Sequence, residues 1–208
     1  MKRQIVTLLA GAMLMMATSA MALTLKIGGS TSGIPSIYNG SNTQLGGGSV
    51  DISYLDGKKL DYLYCVDLLH TINVPADYSV STNNLALIHG VTVNNADHIA
   101  YLLKTFGTGG QGSQAIALQA AIWNVEYGYD IYHLNSSDST ITTLYNSYVT
   151  AAFQNSGNVA DFIWIDTGVN SQGLVTNNPV PEPGTMMLLG IGLGGLALFG
   201  KRRMNIEA

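Results

Sequence analysis

The sequence predicts an α+β fold, a single globular domain of antiparallel strands with a small helical subdomain. Three observations lead to this prediction. Apolar and polar residues alternate from Ser49 to Asp67 around an Asp-Gly pair, which indicates a β-hairpin. Apolar residues then recur at helical spacing on both sides of a glycine-rich loop at 107–112. Two short strand-like segments, near 161–165 and 173–176, close the domain.

The N-terminal residues 1–22 have the features of a secretory signal peptide. Two basic residues precede an uncharged apolar stretch, and small residues form an Ala20-x-Ala22 cleavage site. The alternative is a buried N-terminal helix, but it would place two cations where the helix macrodipole disfavours them. We therefore expect the mature domain to occupy residues 23–178.

The hairpin predicted around Asp56-Gly57 carries Cys65 on its second strand. Because side chains alternate along a strand, Cys65 and Asp67 share one face. The opposite face would hold a stripe that includes two tyrosines: Leu60, Tyr62, Tyr64, Val66 and Leu68. Cys65 is therefore expected to point away from these tyrosines.

Three helices are predicted between the hairpin and the final strands. The first covers 94–106, where an asparagine can cap the start and Gly107 ends the helix. The second covers about 113–125, with a buried stripe and with Gln119 at its edge. The third covers about 137–154. The stripe of the second helix consists of Ala115, Leu118, Ile122 and Val125.

The C-terminal residues 179–208 combine three features at close spacing. Pro181, Glu182 and Pro183 form a segment whose prolines disfavour both helix and sheet. The 17 residues 184–200 carry no charge and reach the lower limit for a transmembrane helix. The basic residues 201–203 would stay in the cytoplasm, which places the domain outside.

These three features resemble the PEP-CTERM sorting signal, which has a Pro-Glu-Pro triplet, an apolar helix and a basic end. The resemblance implies a Gram-negative-type envelope and an exosortase as processing partner. It also implies export with transient anchoring in the inner membrane, followed by release to the cell surface or extracellular matrix. The alternative is an ordinary single-span anchor after a proline-rich linker.

The charge of the mature domain excludes several classes of function. Four lysines stand against eleven carboxylates, so nucleic acid is not an expected partner. The four histidines are scattered, and no calcium loop or phosphate-binding glycine loop is present, so we expect no metal and no cofactor. Abundant Gly, Ser, Thr, Asn and Tyr are typical of exported domains that meet glycans or matrix.

Cys65 is the only cysteine of a chain that is sent to an oxidising compartment, and it requires an explanation. An intramolecular disulfide is impossible. Four interpretations remain from the residues alone: a buried inert thiol, an intermolecular disulfide, the nucleophile of a hydrolase, or a thiol used in another internal bond.

Two blocks of sequence resemble the thioester domains of bacterial surface adhesins. Tyr64-Cys65-Val66-Asp67 matches their aromatic-Cys-apolar-acidic strand, and Leu118 to Trp123 matches their apolar-Gln-x-x-apolar-Trp helix. The segment Ala96 to Leu103 also looks like that family. The resemblance implies that Cys65 and Gln119 join, with loss of ammonia, into a thioester that captures an amine or hydroxyl group on a target surface.

The same resemblance suggests neighbours for the cross-link. Tyr64, Asp67, His98 and Trp123 are the candidate neighbours, and Tyr62, Tyr64 and Trp123 are candidates for shielding it from water. The loops between the two blocks are short, so the capture loop that adhesins use is expected to be reduced. Such a protein would react once and would not be an enzyme.

Two other functions are considered. One is a noncovalent structural or glycan-binding protein of a matrix or biofilm, sorted by the same exosortase. The other is a cysteine hydrolase or acyltransferase, which would need a histidine as the base for Cys65. The histidines available are His70, His89, His98 and His133, and none has a recognisable triad spacing.

Overall fold

The structure, a computed structural model, describes residues 23–29, 37–39, 44–45, 50, 52–109 and 112–178. Contacts between residues divide the chain into two units, Met1–Asn177 and Asn178–Ala208. The expected signal peptide and the expected sorting segment, with its span at 184–200, lie outside the described residues. None of the helices that the structure does describe is long and apolar enough to cross a membrane.

Seven strands form one sheet in which every pair of neighbours is antiparallel. The long central pair has the register Leu23↔Val80 to Ile27↔Ala76. In spatial order the strands are β5 (Lys58–Lys59), β4 (Tyr54–Leu55), β1 (Leu23–Ile27), β7 (Ala76–Asn83), β11 (Phe162–Asp166), β12 (Leu174–Asn177) and β6 (Tyr64–Cys65).

This sheet must curl strongly, because a short piece of chain joins its two edges. Residues 60–63 alone connect β5 to β6, so the Cα atoms of Lys59 and Tyr64 are at most about 18 Å apart, even in an extended chain. Seven flat strands would separate the two edges by about 29 Å. The curl therefore brings β6, which carries Cys65, towards the hairpin at the other edge.

Two smaller sheets complete the strand structure of the described residues. β10 (Tyr132–Leu134), β2 (Ile37–Asn39) and β3 (Gln44–Leu45) form one, in that order. β8 (Leu87–Ile88) and β9 (Val91–Thr92) form the other, a hairpin whose turn residues His89 and Gly90 have φ of 52° and 76°. Two positive φ angles are the signature of a type I′ turn, whose twist matches that of the flanking strands.

Within the described residues, three helices pack against one another: α1 (Ala96–Phe106), α2 (Ser113–Tyr127) and α3 (Ser139–Gln154). α2 is the central helix, and every residue from Ala115 to Glu126 is buried. A helix that is apolar on nearly all sides needs neighbours all around it. One continuous cluster of buried residues joins this helix to the sheet.

The α+β class is confirmed by this antiparallel sheet and these helices. The Asp56-Gly57 turn is also present, with φ of 51° and 78°, between β4 and β5. The predicted second strand of that hairpin does not continue to Cys65, since β5 ends at Lys59 and β6 pairs with β12 instead. Both faces of this segment are covered, because residues 62–67 are all buried.

Candidate functional site: a carboxamide on an edge strand

Cys65 lies on the edge strand β6, and its backbone polar groups face away from the sheet. Cys65 is paired with Leu174 of β12, and the next residue, Val66, donates its amide to Gly173 O at 2.9 Å. Because successive residues of an antiparallel strand bond to opposite sides, the N–H and C=O of Cys65 point to the side without a strand neighbour. Cys65 is buried, so these two groups need other partners.

Gln119 of α2 supplies both partners. Its Oε1 accepts a hydrogen bond from the Cys65 amide at 2.8 Å, and its Nε2 donates to the Cys65 carbonyl at 2.8 Å. Gln119 has no exposed surface. The carboxamide thus takes the place of a neighbouring strand residue. Its two hydrogen bonds connect Gln119 to Cys65, which are 54 positions apart in sequence.

This geometry has a consequence for acyl chemistry. The Cys65 amide points at the carbonyl oxygen of the carboxamide that the Cys65 thiol would attack. A backbone N–H at 2.7–3.1 Å from such an oxygen is the kind of donor that stabilises a tetrahedral intermediate. Both groups also belong to regular elements, a strand and a helix, and a fixed pair gains the advantage of an intramolecular reaction.

The thiol itself is not activated in this arrangement. Burial raises the pKa of Cys65 to about 12, and the negative charge of Asp67 adds a smaller contribution in the same direction. The neutral thiol is therefore the dominant form at neutral pH, and thiolate is the stronger nucleophile. Any reaction with Gln119 would have to rely on proximity and on the polarised carbonyl.

Tyr62 and Tyr64, which were expected to shield the site, are both buried and stand just before Cys65 in the chain. Their ring centroids are 5.5 Å apart, and the Tyr64 hydroxyl donates to Thr108 O at 2.7 Å. Burial raises the pKa of both phenols. The loop after α1 closes on this pair: a Cβ atom at Gly107 would lie 2.7 Å from Cε1 of Tyr62. Glycine is required there by the close approach of the loop.

Two further candidate neighbours, Trp123 and His98, have partners of their own. Trp123 is buried one turn beyond Gln119 and packs edge-on against Tyr132, with ring centroids 5.4 Å apart. Its indole nitrogen has no hydrogen-bond partner among the described residues. His98 places Nδ1 2.7 Å from Asn155 O and packs against Phe153. In the described part of the chain, no hydrogen bond or ring contact joins His98 to Cys65 or Gln119.

Asp67, two residues after Cys65, lies at the centre of a group of polar side chains. Its Oδ2 is 2.7 Å from Nδ1 of His70 and 3.1 Å from Nε2 of His89. Its Oδ1 accepts from the Leu69 amide at 2.9 Å. We call Asp67, His70 and His89 the Asp-His-His cluster. Asp67 follows Cys65 by two residues in the sequence, just after the end of β6.

A pocket of about 310 Å³ opens beside this cluster and is also lined by Glu126 of α2. Burial raises the pKa of Glu126 to about 9, with the charge of Asp67 as a smaller cause. One of its oxygens, Oε2, is buried without a hydrogen-bond partner among the described residues. A second pocket, of about 200 Å³, is lined by Tyr62, Lys59 and Gly109 on the side of the hairpin.

Sequence reasoning placed Cys65 beside Gln119 through a family resemblance, and it missed the Asp-His-His cluster. His70 and His89 are separated by strand β7, so their spacing contains no ligand pattern. The Asp67-x-x-His70 spacing was a weak local signal for one contact of the cluster. The turn of the β8–β9 hairpin brings His89 to the same carboxylate, and no local pattern indicates that contact. The sorting residues Pro181, Glu182 and Pro183 lie outside the described residues.

Comparison with known proteins adds one finding, at the C-terminus. Residues 179–203 match the model of the PEP-CTERM protein-sorting motif. No curated protein and no solved structure matches the chain. The motif confirms the prediction made from the Pro-Glu-Pro triplet, the apolar stretch and the basic end. The chain therefore carries a PEP-CTERM sorting motif, which indicates an exported protein that an exosortase recognises and that is processed at the membrane.

Proposed function

We propose that Cys65 and Gln119 form an internal thioester, with which the exported protein attaches covalently to an amine or hydroxyl group on a target surface or matrix. The observation that carries this proposal is the pair of 2.8 Å hydrogen bonds between the Gln119 carboxamide and the Cys65 backbone. They hold the acyl carbon beside the residue whose thiol would attack it. The export route supplies the setting, since a group that captures foreign amines is useful outside the cell.

The chemistry is balanced without a co-reactant. The Cys65 sulfur bonds to the side-chain carbonyl carbon of Gln119, the bond from that carbon to Nε2 breaks, and the thiol proton leaves with the nitrogen as ammonia. A target amine then attacks the same carbon, which forms an amide and returns the proton to the Cys65 sulfur. Each protein molecule reacts once, so the proposal describes attachment and not turnover.

The test is the intact mass of the purified, exported protein. We expect a mass one ammonia below the value that the processed sequence gives. Treatment with methylamine should then add one methylamine, and peptide mapping should locate it at Gln119. Cys65→Ala and Gln119→Ala should each give the full mass and no reaction with methylamine.

A matched control is available on the same helix. Gln114 is also a glutamine of α2, but it is exposed at the N-terminal end of the helix. Gln114→Glu should keep the ammonia loss. Gln119→Glu should abolish it, because a thiol attacks the carbon of a carboxylate poorly. A wild-type protein at full mass that does not react with methylamine would refute the thioester.

That outcome would favour the alternative, a noncovalent structural or glycan-binding protein of the matrix. The surface offers one feature for such binding: Tyr129 is 68% exposed and stacks on His133 with ring centroids 5.0 Å apart. A hydrolase receives less support. No hydrogen bond in the described part of the chain joins a histidine to Cys65, and the thiol is held in its neutral form.

A further inference from the structure

The Asp-His-His cluster collects metal-ligating atoms from two segments of the chain that are distant in sequence. Asp67 follows β6, His70 lies in the loop after it, and His89 is in the turn of the β8–β9 hairpin. One ligand atom from each of the three residues lies within 4.8 Å of the others. Zinc bonds to nitrogen and oxygen of about 2.0–2.2 Å imply about 3–3.5 Å between ligand atoms. The distances of 2.7 and 3.1 Å from Asp67 Oδ2 are close to that range.

A second layer of groups orients these ligands. Asp166 accepts a hydrogen bond from the His89 amide at 2.9 Å, and its Oδ1 lies 3.3 Å from Nδ1 of the same ring, outside hydrogen-bond geometry. His89 therefore presents Nε2 to Asp67 and Nδ1 to a second carboxylate. A carboxylate behind a ligating histidine is the usual arrangement at metal sites. The Leu69 amide fixes the Asp67 carboxylate in the same way.

The pocket beside the cluster supplies an independent observation. Glu126 lines it with the three cluster residues, and 91% of Glu126 is buried, as its exposed fraction is 9%. Its Oε2 has no hydrogen-bond partner among the described residues. A buried carboxyl oxygen without a hydrogen-bond partner costs free energy unless a cation or another polar group occupies the pocket.

We propose that Asp67, His70 and His89 bind a divalent cation of the zinc type, with Glu126 available as a further oxygen ligand. Two imidazoles and one or two carboxylates suit zinc better than calcium or magnesium, which prefer sites made of oxygen alone. The ion would connect the end of β6, its following loop and the β8–β9 hairpin. This inference reverses the expectation of no metal, and it does not depend on the thioester.

The experiment uses the full chain without a histidine tag, loaded with zinc and then desalted. We expect one zinc per chain by elemental analysis, a melting temperature that zinc raises and EDTA lowers, and a visible absorption band when cobalt replaces zinc. His70→Gln and His89→Gln should each lose the bound zinc and the zinc-dependent shift in melting temperature. Circular dichroism without metal shows whether these variants are folded.

Two controls decide between this site and others. His98→Gln changes a histidine that contacts Asn155 and Phe153, away from the cluster, and it should keep the zinc. Cys65→Ser should keep it as well, which separates the metal from the proposed thioester. The proposal is wrong if the wild-type chain retains no zinc, so that the cluster is a hydrogen-bonded group alone. It is also wrong if His98→Gln or Cys65→Ser loses the metal as His70→Gln does.

Discussion

The carboxamide of Gln119 has a structural role whether or not it reacts. It satisfies the amide and the carbonyl of a buried edge-strand residue, which are groups that a strand neighbour would otherwise bind. The same two contacts would hold the acyl carbon in place for the thiol. At the scale of single residues, stability and reactivity therefore depend on one side chain, and a test must separate them.

Stability can be measured alone in a Cys65→Ala background, where no thioester can form. In that background, Gln119→Ala should lower the free energy of unfolding by about 2–6 kcal/mol more, because it leaves two buried backbone groups without partners at about 1–3 kcal/mol each. Urea unfolding of the single and double variants gives the difference. Gln114→Ala in the same background should change it little. A difference near zero would mean that water or a backbone shift replaces the carboxamide.

The elements of this fold differ in how far local sequence specifies them. α1, α2 and α3 begin and end within two residues of the predicted limits, as do β11 and β12, because helical spacing and turn residues are local signals. Asn95 occupies the cap position of α1, as expected, but it has φ of 51° and its side chain donates to Val125 O instead of capping the helix. The hydrogen bond to α2, which is a tertiary contact, therefore replaces the local capping role of the Asn95 side chain.

The features missed from sequence are those made by distant pairings. β6 pairs with β12, more than a hundred residues later, and this non-local pairing ended the predicted hairpin strand at Lys59. The Asp-His-His cluster depends on the same pairing and on the turn at His89. The contact between Cys65 and Gln119 was also non-local, and spacing alone did not indicate it. It was found because two short blocks resembled a known family.

The loop between α1 and α2 offers a prediction at the scale of elements. In Gly107→Ala the new Cβ atom would lie 2.7 Å from the Tyr62 ring and would also meet the backbone oxygen of Leu103. The loop or the ring must move, so we expect a loss of about 1–3 kcal/mol in unfolding free energy. Gly112 belongs to the same loop, but a Cβ atom there meets nothing within 4 Å.

Gly112→Ala is therefore the matched control for that substitution. It should be neutral, or should stabilise the fold by about 0.4–1 kcal/mol by restricting the unfolded chain. Thermal unfolding of both variants gives the comparison. Equal effects of the two substitutions would show that the approach of the loop to Tyr62 is not tight in solution.

At the scale of the whole molecule, the two edges of the large sheet are protected in different ways. β5 carries Lys58 and Lys59, both exposed, and charged residues on an edge strand discourage pairing with other chains. β6 is buried instead, and the Gln119 side chain covers the edge at Cys65. The edge that carries the candidate thioester is thus closed to strand addition, and a reaction partner must reach it by another approach.

The buried tyrosines predict how the whole fold responds to alkali. Burial raises the pKa of Tyr62, Tyr64 and Tyr132, and raises that of Tyr145 to about 12. A raised pKa means that the folded state keeps these protons after the unfolded chain, with a pKa near 10, has lost them. The stabilisation is therefore complete below pH 10 and is lost as pH rises from 10 towards 12.

We expect urea unfolding to show a nearly constant free energy from pH 7 to 9 and a steep fall above pH 10, to which Tyr145 alone contributes about 2–3 kcal/mol. Part of the tyrosinate absorbance should rise only with unfolding, because a buried phenol ionises when the fold opens. Tyr145→Phe should make the fall shallower, because it removes one phenol whose pKa burial raises. Tyrosinate absorbance that reaches its full value before unfolding would contradict this account, since it would mean that the buried phenols ionise inside an intact core.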